Sequence, residues 1–250
     1  MMTHMRIVAA IVNYNDATYT EKLLPQVLKQ GFDKVYVLDD ASTDHSAEIY
    51  REFPGIEVVR SKKHAGPIVN RNQMLSQDGG DVILFLDADM SLLTSRLAQI
   101  ISQLFDQHKD MGILGGQVTD QNGRPVIFNY GRDIDPLMGA FKDKLSGNKA
   151  KAEHYSQSLQ KVAWTLEGVL AVRTDLFYRL KGFDTKFYRY HEGPDLCKRA
   201  RRQGYDTYLT TNIVTQHLRP FNHGSGAGRK QFLTASLMWY KKHGFRSYKV

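Results

Sequence analysis

The segment Val82–Leu86, five consecutive apolar residues running straight into Asp87-Ala-Asp89, constrains this chain more than any other. An apolar run of strand length without alternation is buried on both faces, which requires a sheet with helices on each side. Arg6–Asn13 and Val35–Leu38 have the same character, and Glu57–Arg60 reads as a further strand. Helical spacings lie between them. Leu23, Leu24, Val27 and Leu28 follow Thr18-Tyr-Thr-Glu21, which reads as a capping box, and Gly31 ends that helix. Ser46–Phe53 and Pro67–Gln77 read as two more helices, and Thr94 is placed to cap a fourth bearing Leu97, Ile100, Ile101, Leu104 and Phe105. This order implies an α/β fold with a central, mostly parallel sheet covered by helices on both faces. In such sheets ligands bind beyond the carboxyl ends of the strands.

The second half is less regular. Gly115–Tyr130 suits two short strands around the turn Gln121-Asn-Gly-Arg124, and residues 131–160 read as a long polar loop or lid. A strand near Gly168–Arg173, a helix near Pro194–Gln203 and a strand near Thr207–Thr210 complete the sheet. Cys197 is the one cysteine, so no intrachain disulfide forms, which fits a reducing compartment. No apolar run approaches the roughly 20 residues that span a bilayer. Met1–Met5 lacks the apolar core of a secretory signal, so a cytoplasmic location is expected. The formal net charge of +8 favours anionic partners without choosing among them.

Two carboxylates at i and i+2 on a strand end converge as the chain leaves the sheet, and hard oxygen ligands suit Mg2+ or Mn2+. The spacing alone is weak evidence: Asp133-Ile-Asp135 has it too, but in a polar loop before Pro136. Context separates the pairs. Asp39, Asp40 and Asp44 likewise follow the strand Val35–Leu38; Asp44 is placed to cap the next helix and Asp39 is not.

These segments resemble the family 2 glycosyltransferases, which use nucleotide sugars and have the GT-A fold. Ile11-Val-Asn-Tyr-Asn15 is similar to the family's opening strand, and Val37-Leu-Asp-Asp-Ala-Ser-Thr-Asp-His-Ser46 to its nucleobase segment. Gly66 with Asn70-Arg-Asn72 resembles its Arg-Asn helix, and Ile83-Leu-Phe-Leu-Asp-Ala-Asp89 its strand and metal motif. Glu167-Gly168 through Arg173, Gly182-Phe-Asp184 and Asp195–Tyr205 resemble its acceptor-side strand, the turn after it and the helix that carries the catalytic base.

The resemblance implies a GT-A domain over residues 1–225, with a donor half of about 1–118, an acceptor half of about 119–225 and a helical extension at 226–250. It implies a nucleoside-diphosphate sugar donor, a glycan, lipid-linked or small-molecule acceptor, and Mn2+ or Mg2+. Asn13, Asn15, Asp39, Asp40, Arg71, Asp87 and Ala88 would line the donor, with Asp39 on the base and Asp87 facing the ribose or metal. Asp89 would ligate the metal, joined by His217; His223 is a weaker candidate. Trp164, Glu167 and Gly168 would lie on the acceptor side. One departure concerns the base: Gly193 stands where inverting members have the Asp that deprotonates the acceptor hydroxyl. Glu192 and Asp195 remain as substitutes, both near a helix N-terminus, whose dipole favours the ionised form and weakens a base.

Two other functions stay open on the residues. A nucleotidyltransferase would show a Gly-rich basic loop after the first strand, which Asn13-Tyr-Asn-Asp16 is not. A catalytically silent nucleotide-sugar-binding protein is supported by Gly193. Lys198, Arg199, Arg201 and Arg202 spread around the face opposite Leu196 and Ala200, a solvated surface that gives no reason to expect nucleic acid. Arg229–Lys249 interleaves aromatic and basic residues. That pattern suits a helix packed on the domain, or peripheral contact with the inner face of a membrane.

Overall fold

β1 (Ile7–Asn13) is buried at every position, and its alternate residues enter two different cores. The computed structural model describes residues 5–126, 130–131, 158–187, 190–220 and 226–244, with the backbone alone at 226–229. After β1 come α1 (Ala17–Val27), β2 (Lys34–Asp39), α2 (Ser46–Arg51), β3 (Glu57–Arg60), α3 (Pro67–Arg71) and a 3-10 turn over Asn72–Ser76. β4 (Val82–Asp87), β5 (Met90–Leu92), α4 (Leu97–Gln107) and β6 (Met111–Thr119) follow. The remaining elements are β7 (Tyr130–Gly131), β8 (Leu159–Val162), β9 (Trp164–Thr165), β10 (Val169–Arg173), α5 (Thr174–Arg179), α6 (Glu192–Arg202), β11 (Asp206–His217) and α7 (Gly226–His243).

Ile7, Ala9 and Ile11 share a core with Leu23, Leu24 and Val27 of α1, Ile49 of α2 and Ile101 and Phe105 of α4. Val8, Ala10 and Val12 share the other with Ile68 of α3, Phe177 of α5 and Leu196 of α6. Each fully buried aliphatic side chain contributes about 1.5–3 kcal/mol. That two-faced burial is the physical reason for the unbroken apolar strands.

The large sheet has the order β3-β2-β1-β4-β10-β6-β11-β5, with β8 also on β11. β3, β2, β1 and β4 are mutually parallel, so their carboxyl ends share one edge. In register, Asn13 lies opposite Asp39 and Val12 opposite Asp87. β10 inserts antiparallel between β4 and β6, and β11 runs parallel to β6 but antiparallel to β5 and β8. The strands beyond β4 are therefore mixed in direction.

Several local expectations change. Thr18 and Glu21 form no capping box; the first amide of α1, at Ala17, donates to Asp44 Oδ2 (3.0 Å). Asp44 also accepts from the Ser46 amide (3.1 Å), and so it fastens the starts of both α1 and α2. Thr94 does not cap α4, because its hydroxyl accepts from Val214 N (2.9 Å); Gln30 Oε1 takes the Leu97 amide instead (3.1 Å). The turn at 121–124 forms around Asp120, but Gly115 lies inside β6, and among the described residues the turn is closed by a single isolated bridge, Thr119 with Pro125. The second strand there begins at Tyr130. The polar stretch at 131–160 lies outside the described residues between 132 and 157, as do Asp133, Asp135 and His223.

The cationic face of α6 is not simply solvated. Lys198 is buried with its Nζ 5.0 Å from the Trp239 ring centroid, Arg199 donates to Leu180 O and Gly182 O, and Arg201 to Val162 O. α7 packs against this region through Ala235, Ser236, Trp239 and His243, leaving Leu233 (55%) and Leu237 (70%) exposed on its outer face. Among the described residues no helix is long and apolar enough to cross a membrane.

Candidate active site

The site is built on the shared carboxyl edge of β1, β2 and β4, where each strand ends in a polar side chain. Asn13, the last residue of β1, is fully buried, and its amide is spent on the protein. Its Nδ2 meets Ser42 Oγ (3.1 Å), Ser46 Oγ (3.1 Å) and Tyr50 OH (2.6 Å), while Oδ1 accepts from Thr20 Oγ1 (2.8 Å). Asn13 thus holds the loop after β2 rather than facing a ligand. Asn15, at φ 53°, accepts from Thr43 N (2.7 Å) and steadies the same loop from outside.

Asp39 ends β2 with no exposed surface; it accepts from Ser42 N (3.2 Å) and pairs with Arg60 Nη1. Arg60 also donates to Ser42 O (2.6 Å), closing the turn. Asp40 accepts from Ala65 N (3.0 Å) and Gly66 N (2.7 Å) and meets His64 Nδ1 at 2.8 Å, so it anchors the loop into α3. That tether stacks His64 on Tyr14, with ring centroids 3.8 Å apart and 22° between planes. Tyr14 remains 41% exposed, so the pair is an aromatic rim at this end of the edge.

Asp87 ends β4 and forms an ion pair with Arg71, a nearly buried residue of α3. Gly168 makes the room for this pair: a Cβ there would lie 3.1 Å from Asp87 Oδ2. Ala88 is buried and donates to Val12 O (3.2 Å), pinning the Asp87-Ala-Asp89 turn to β1. Asp89 Oδ2 lies 3.5 Å from His217 Nε2 and 3.5 Å from Arg219 Nε, while its buried Oδ1 has no hydrogen-bond partner among the described residues. Burial raises the Asp89 pKa, Asp87 raises it further, and His217 and Arg219 oppose. His217 ends β11, antiparallel to β5, and its Nδ1 lies 2.6 Å from Arg219 O. A carbonyl can only accept, so Nδ1 carries the hydrogen and Nε2 is the atom turned toward Asp89.

Asp89 and His217 were paired by sequence reading; Asp16 and Arg219 were missed. Arg219 forms an ion pair with Asp16 just beyond β1, where burial raises the carboxyl against the pull of Arg219. The available signal was positional: Asp16 follows a strand end, and Arg219 stands two residues past His217.

On the other side of Asp87, Glu167 precedes β10. Burial first, and then the neighbouring Glu192, push its carboxyl up to about 8 against the opposing charge of Arg71. Glu167 Oε1 is buried with no hydrogen-bond partner among the described residues. Glu192 opens α6 and is also buried. Gly193 packs directly on this carboxylate: a Cβ at 193 would collide with Glu167 Oε1 and lie 2.6 Å from Thr165 O. Trp164, half-buried and next to Thr165 in β9, packs its ring on Gly131.

Asp195 has no exposed surface and is the one expected catalytic carboxylate that turns away from this edge. It accepts from Arg199 Nε (2.7 Å), Lys242 Nζ (2.6 Å) and His243 Nε2 (2.7 Å). Burial would raise its pKa, but the His243 hydrogen bond and the Arg199 and Lys242 charges override it and hold the carboxyl at about 2. A carboxylate so held ties α7 to α6 and is a poor proton acceptor.

Among the described residues no group of three His, Cys, Asp or Glu side chains converges as a metal cage. A two-residue set, Asp89 and His217, still fits a hard cation whose other ligands come from a substrate phosphate and water, the usual arrangement for Mg2+ at nucleotide sites. The partnerless Asp89 Oδ1 is the observation that supports the fit.

Residues 9–163 match the model of glycosyl transferase family 2. The chain is 26% identical over 165 residues to the poly(ribitol-phosphate) beta-N-acetylglucosaminyltransferase TarS of Staphylococcus aureus, covering 63% of this chain and 28% of that one. It therefore spans less than a third of that relative's length. In fold it is similar to the mannosyltransferase PcManGT of Pyrobaculum calidifontis, solved in complex with GDP-Man and Mn2+: TM-score 0.68, 18% identity, 97% of this chain and 66% of that one. It is also similar to residues 1–349 of S. aureus TarS in complex with UDP-GlcNAc, with TM-score 0.64, 19% identity and coverage of 96% and 73%. Fold and match agree on the GT-A architecture.

Proposed function

The chain belongs to glycosyl transferase family 2, and on that premise we propose that it moves a sugar from a nucleoside-diphosphate sugar to an acceptor hydroxyl, with a divalent metal, in polysaccharide, glycolipid or other glycoconjugate synthesis. The observation that carries the metal-dependent form of this reading is the buried, partnerless Asp89 Oδ1 beside His217 Nε2 at the end of the Asp87-Ala-Asp89 turn. Asp89 and His217 would hold Mn2+ or Mg2+, and such a cation, when bound, neutralises charge on the departing diphosphate. The likeness to a GDP-Man and Mn2+ complex supports the choice of ion.

The chain's own groups divide the rest of the work. Asp39, fixed by Arg60, and the Tyr14–His64 stack form the nucleobase end. Asp87, fixed by Arg71, faces the ribose, while Asn13, Asn15 and Asp40 keep the donor loops in shape. Trp164, Glu167 and Gly168 line the acceptor side. We assign the donor half to about 1–118, the acceptor half to about 119–225, and the remaining residues to a helical extension. A cytoplasmic protein touching the inner membrane face is part of this reading, supported by exposed Leu233 and Leu237 beside exposed Lys230 and Lys241 on α7.

The test uses UDP-GlcNAc, UDP-Glc and GDP-Man with and without Mn2+, reading thermal shift and release of nucleoside diphosphate with water as acceptor. A true donor raises the melting temperature by mass action. Asp89→Ala is expected to lose both the Mn2+-dependent shift and the release. Wild-type-like release from that variant overturns the metal assignment. A wild type that binds a donor but never cleaves it favours a silent nucleotide-sugar-binding protein.

A further inference from the structure

Six carboxylates gather at the strand ends, and their partners sort them. Asp39, Asp40, Asp87 and Asp16 each accept from a cation, a backbone amide or both. Of these six, Asp89 and Glu167 each have a buried oxygen, Oδ1 and Oε1, with no hydrogen-bond partner among the described residues. A buried acceptor without a donor costs about 1–3 kcal/mol, and such an atom calls for an explanation in ligand chemistry. Asp89 has one, on the metal side. Glu167 stands on the far side of Asp87 and Arg71, between the donor edge and the start of α6.

The glycine at 193 is shaped to this carboxylate. Any side chain there would enter the volume that Glu167 Oε1 fills and would press on Thr165 O at 2.6 Å, a backbone atom with no room to yield. A carboxylate belonging to residue 193 and the carboxylate of Glu167 are therefore alternatives for one place. Glu192 is the other nearby acid; it opens α6, and its replacement is tested beside that of Glu167.

We infer that Glu167 is the catalytic base of the transfer, accepting the acceptor hydroxyl's proton on its carboxylate. The inference rests on the sugar-transfer reading above. In the step, the acceptor oxygen forms a bond to the anomeric carbon while the bond from that carbon to the diphosphate oxygen breaks. The bonding pair leaves on the nucleoside diphosphate, and the hydroxyl proton ends on Glu167. A single displacement of this kind inverts the anomeric configuration.

The experiment measures kcat and donor KM for release of nucleoside diphosphate, with water as acceptor, from whichever of UDP-GlcNAc, UDP-Glc and GDP-Man the wild type cleaves in Mn2+. Glu167→Gln keeps the shape and is expected to lower kcat about 100-fold or more, with donor KM within about threefold of wild type, because Glu167 holds no part of the donor. Glu192→Gln is expected to lose less than tenfold. Gly193→Asp alone is expected to melt well below wild type. Combined with Glu167→Ala it escapes the carboxylate but still meets Thr165 O, so the double variant is expected to melt below wild type as well. A Glu167→Gln enzyme with wild-type kcat overturns the inference while leaving the transfer reading intact. A wild type that cleaves none of the three donors removes the transfer reading and this inference with it.

Discussion

Replacing Asp195 with Asn separates a structural carboxylate from a catalytic one. Asp195 is fully buried, with Arg199 Nε at 2.7 Å, Lys242 Nζ at 2.6 Å and His243 Nε2 at 2.7 Å. Its carboxyl is held at about 2, well below its ordinary value, a preference for the ionised form on the order of 2–3 kcal/mol. Breaking a buried pair by removing one partner costs about 3–5 kcal/mol. Lys242 is partly exposed, and solvent screening trims that figure. We expect Asp195→Asn to lose about 2–4 kcal/mol, which for a chain of this size is a fall of about 5–15 °C in melting temperature. The sign with pH follows from the depressed folded-state value. The stabilisation is fully present above the unfolded value near 4 and is lost as pH falls toward about 2, so the gap between wild type and variant closes across that window. Thermal melts from pH 7 down to pH 2 measure this. Activity at temperatures well below both transitions should track the folded fraction. A variant that melts within 2 °C of wild type at pH 7, or one that stays folded while kcat collapses, would refute the structural role and return Asp195 to the list of candidate bases.

Asn13→Ala removes the amide that joins Thr20, Ser42, Ser46 and Tyr50; unfolding by denaturant should show a loss of about 2–4 kcal/mol, and donor KM should rise because the loop after β2 slackens. His191 is buried and its pKa is lowered to about 4 by desolvation. The unfolded chain takes up a proton near pH 6.5 that the folded chain refuses, so stability should fall as pH drops from about 6.5 to 4, by up to about 3 kcal/mol, and His191→Gln should flatten that part of the denaturation profile. Arg60→Ala leaves Asp39 buried without its cation; binding of UDP and GDP, read by calorimetry, should weaken at least tenfold, and unchanged affinity would remove Asp39 from the nucleobase end.

Much of this molecule was legible because burial on two faces leaves a one-dimensional trace. Val82–Leu86 and Ile7–Val12 had to be central strands, and the polar residues after them had to share an edge. The meeting of Asp89 with His217 was legible only through the family resemblance; in the fold His217 ends β11 and Asp89 lies in the turn between β4 and β5. What escaped depended on contacts between distant residues with no periodic signature. Arg219 pairs with Asp16 across 203 positions, and Asp195 meets His243 across 48. Nothing near Asp195 announces that α7 will supply two donors, so a carboxylate in the first turn of a helix looked available for chemistry. The Arg199 and Lys198 side chains looked solvated for the same reason: α5 and α7, which cover them, come from other parts of the chain. The antiparallel entry of β10 also left no trace, because a strand buried on both faces is equally apolar in either direction.

Glycines do as much as acids to lay out this site, and the two cases differ in kind. At Gly168 an added Cβ would meet Met90 Cε at 2.8 Å, the movable end of a flexible chain, and Asp87 Oδ2 at 3.1 Å; the clearance there keeps Asp87 beside Arg71. At Gly193 the neighbours are the Glu167 carboxylate and the Thr165 carbonyl, and the latter is fixed between β9 and the packed start of α6. A residue is excluded from 193 because an acid reached the same place from the strand side. Read as a pattern, the glycine looks like the loss of a carboxylate. Read in three dimensions, a carboxyl group is still there, carried by Glu167 just ahead of β10 instead of by α6, and burial raises its pKa, which makes it the stronger base once ionised.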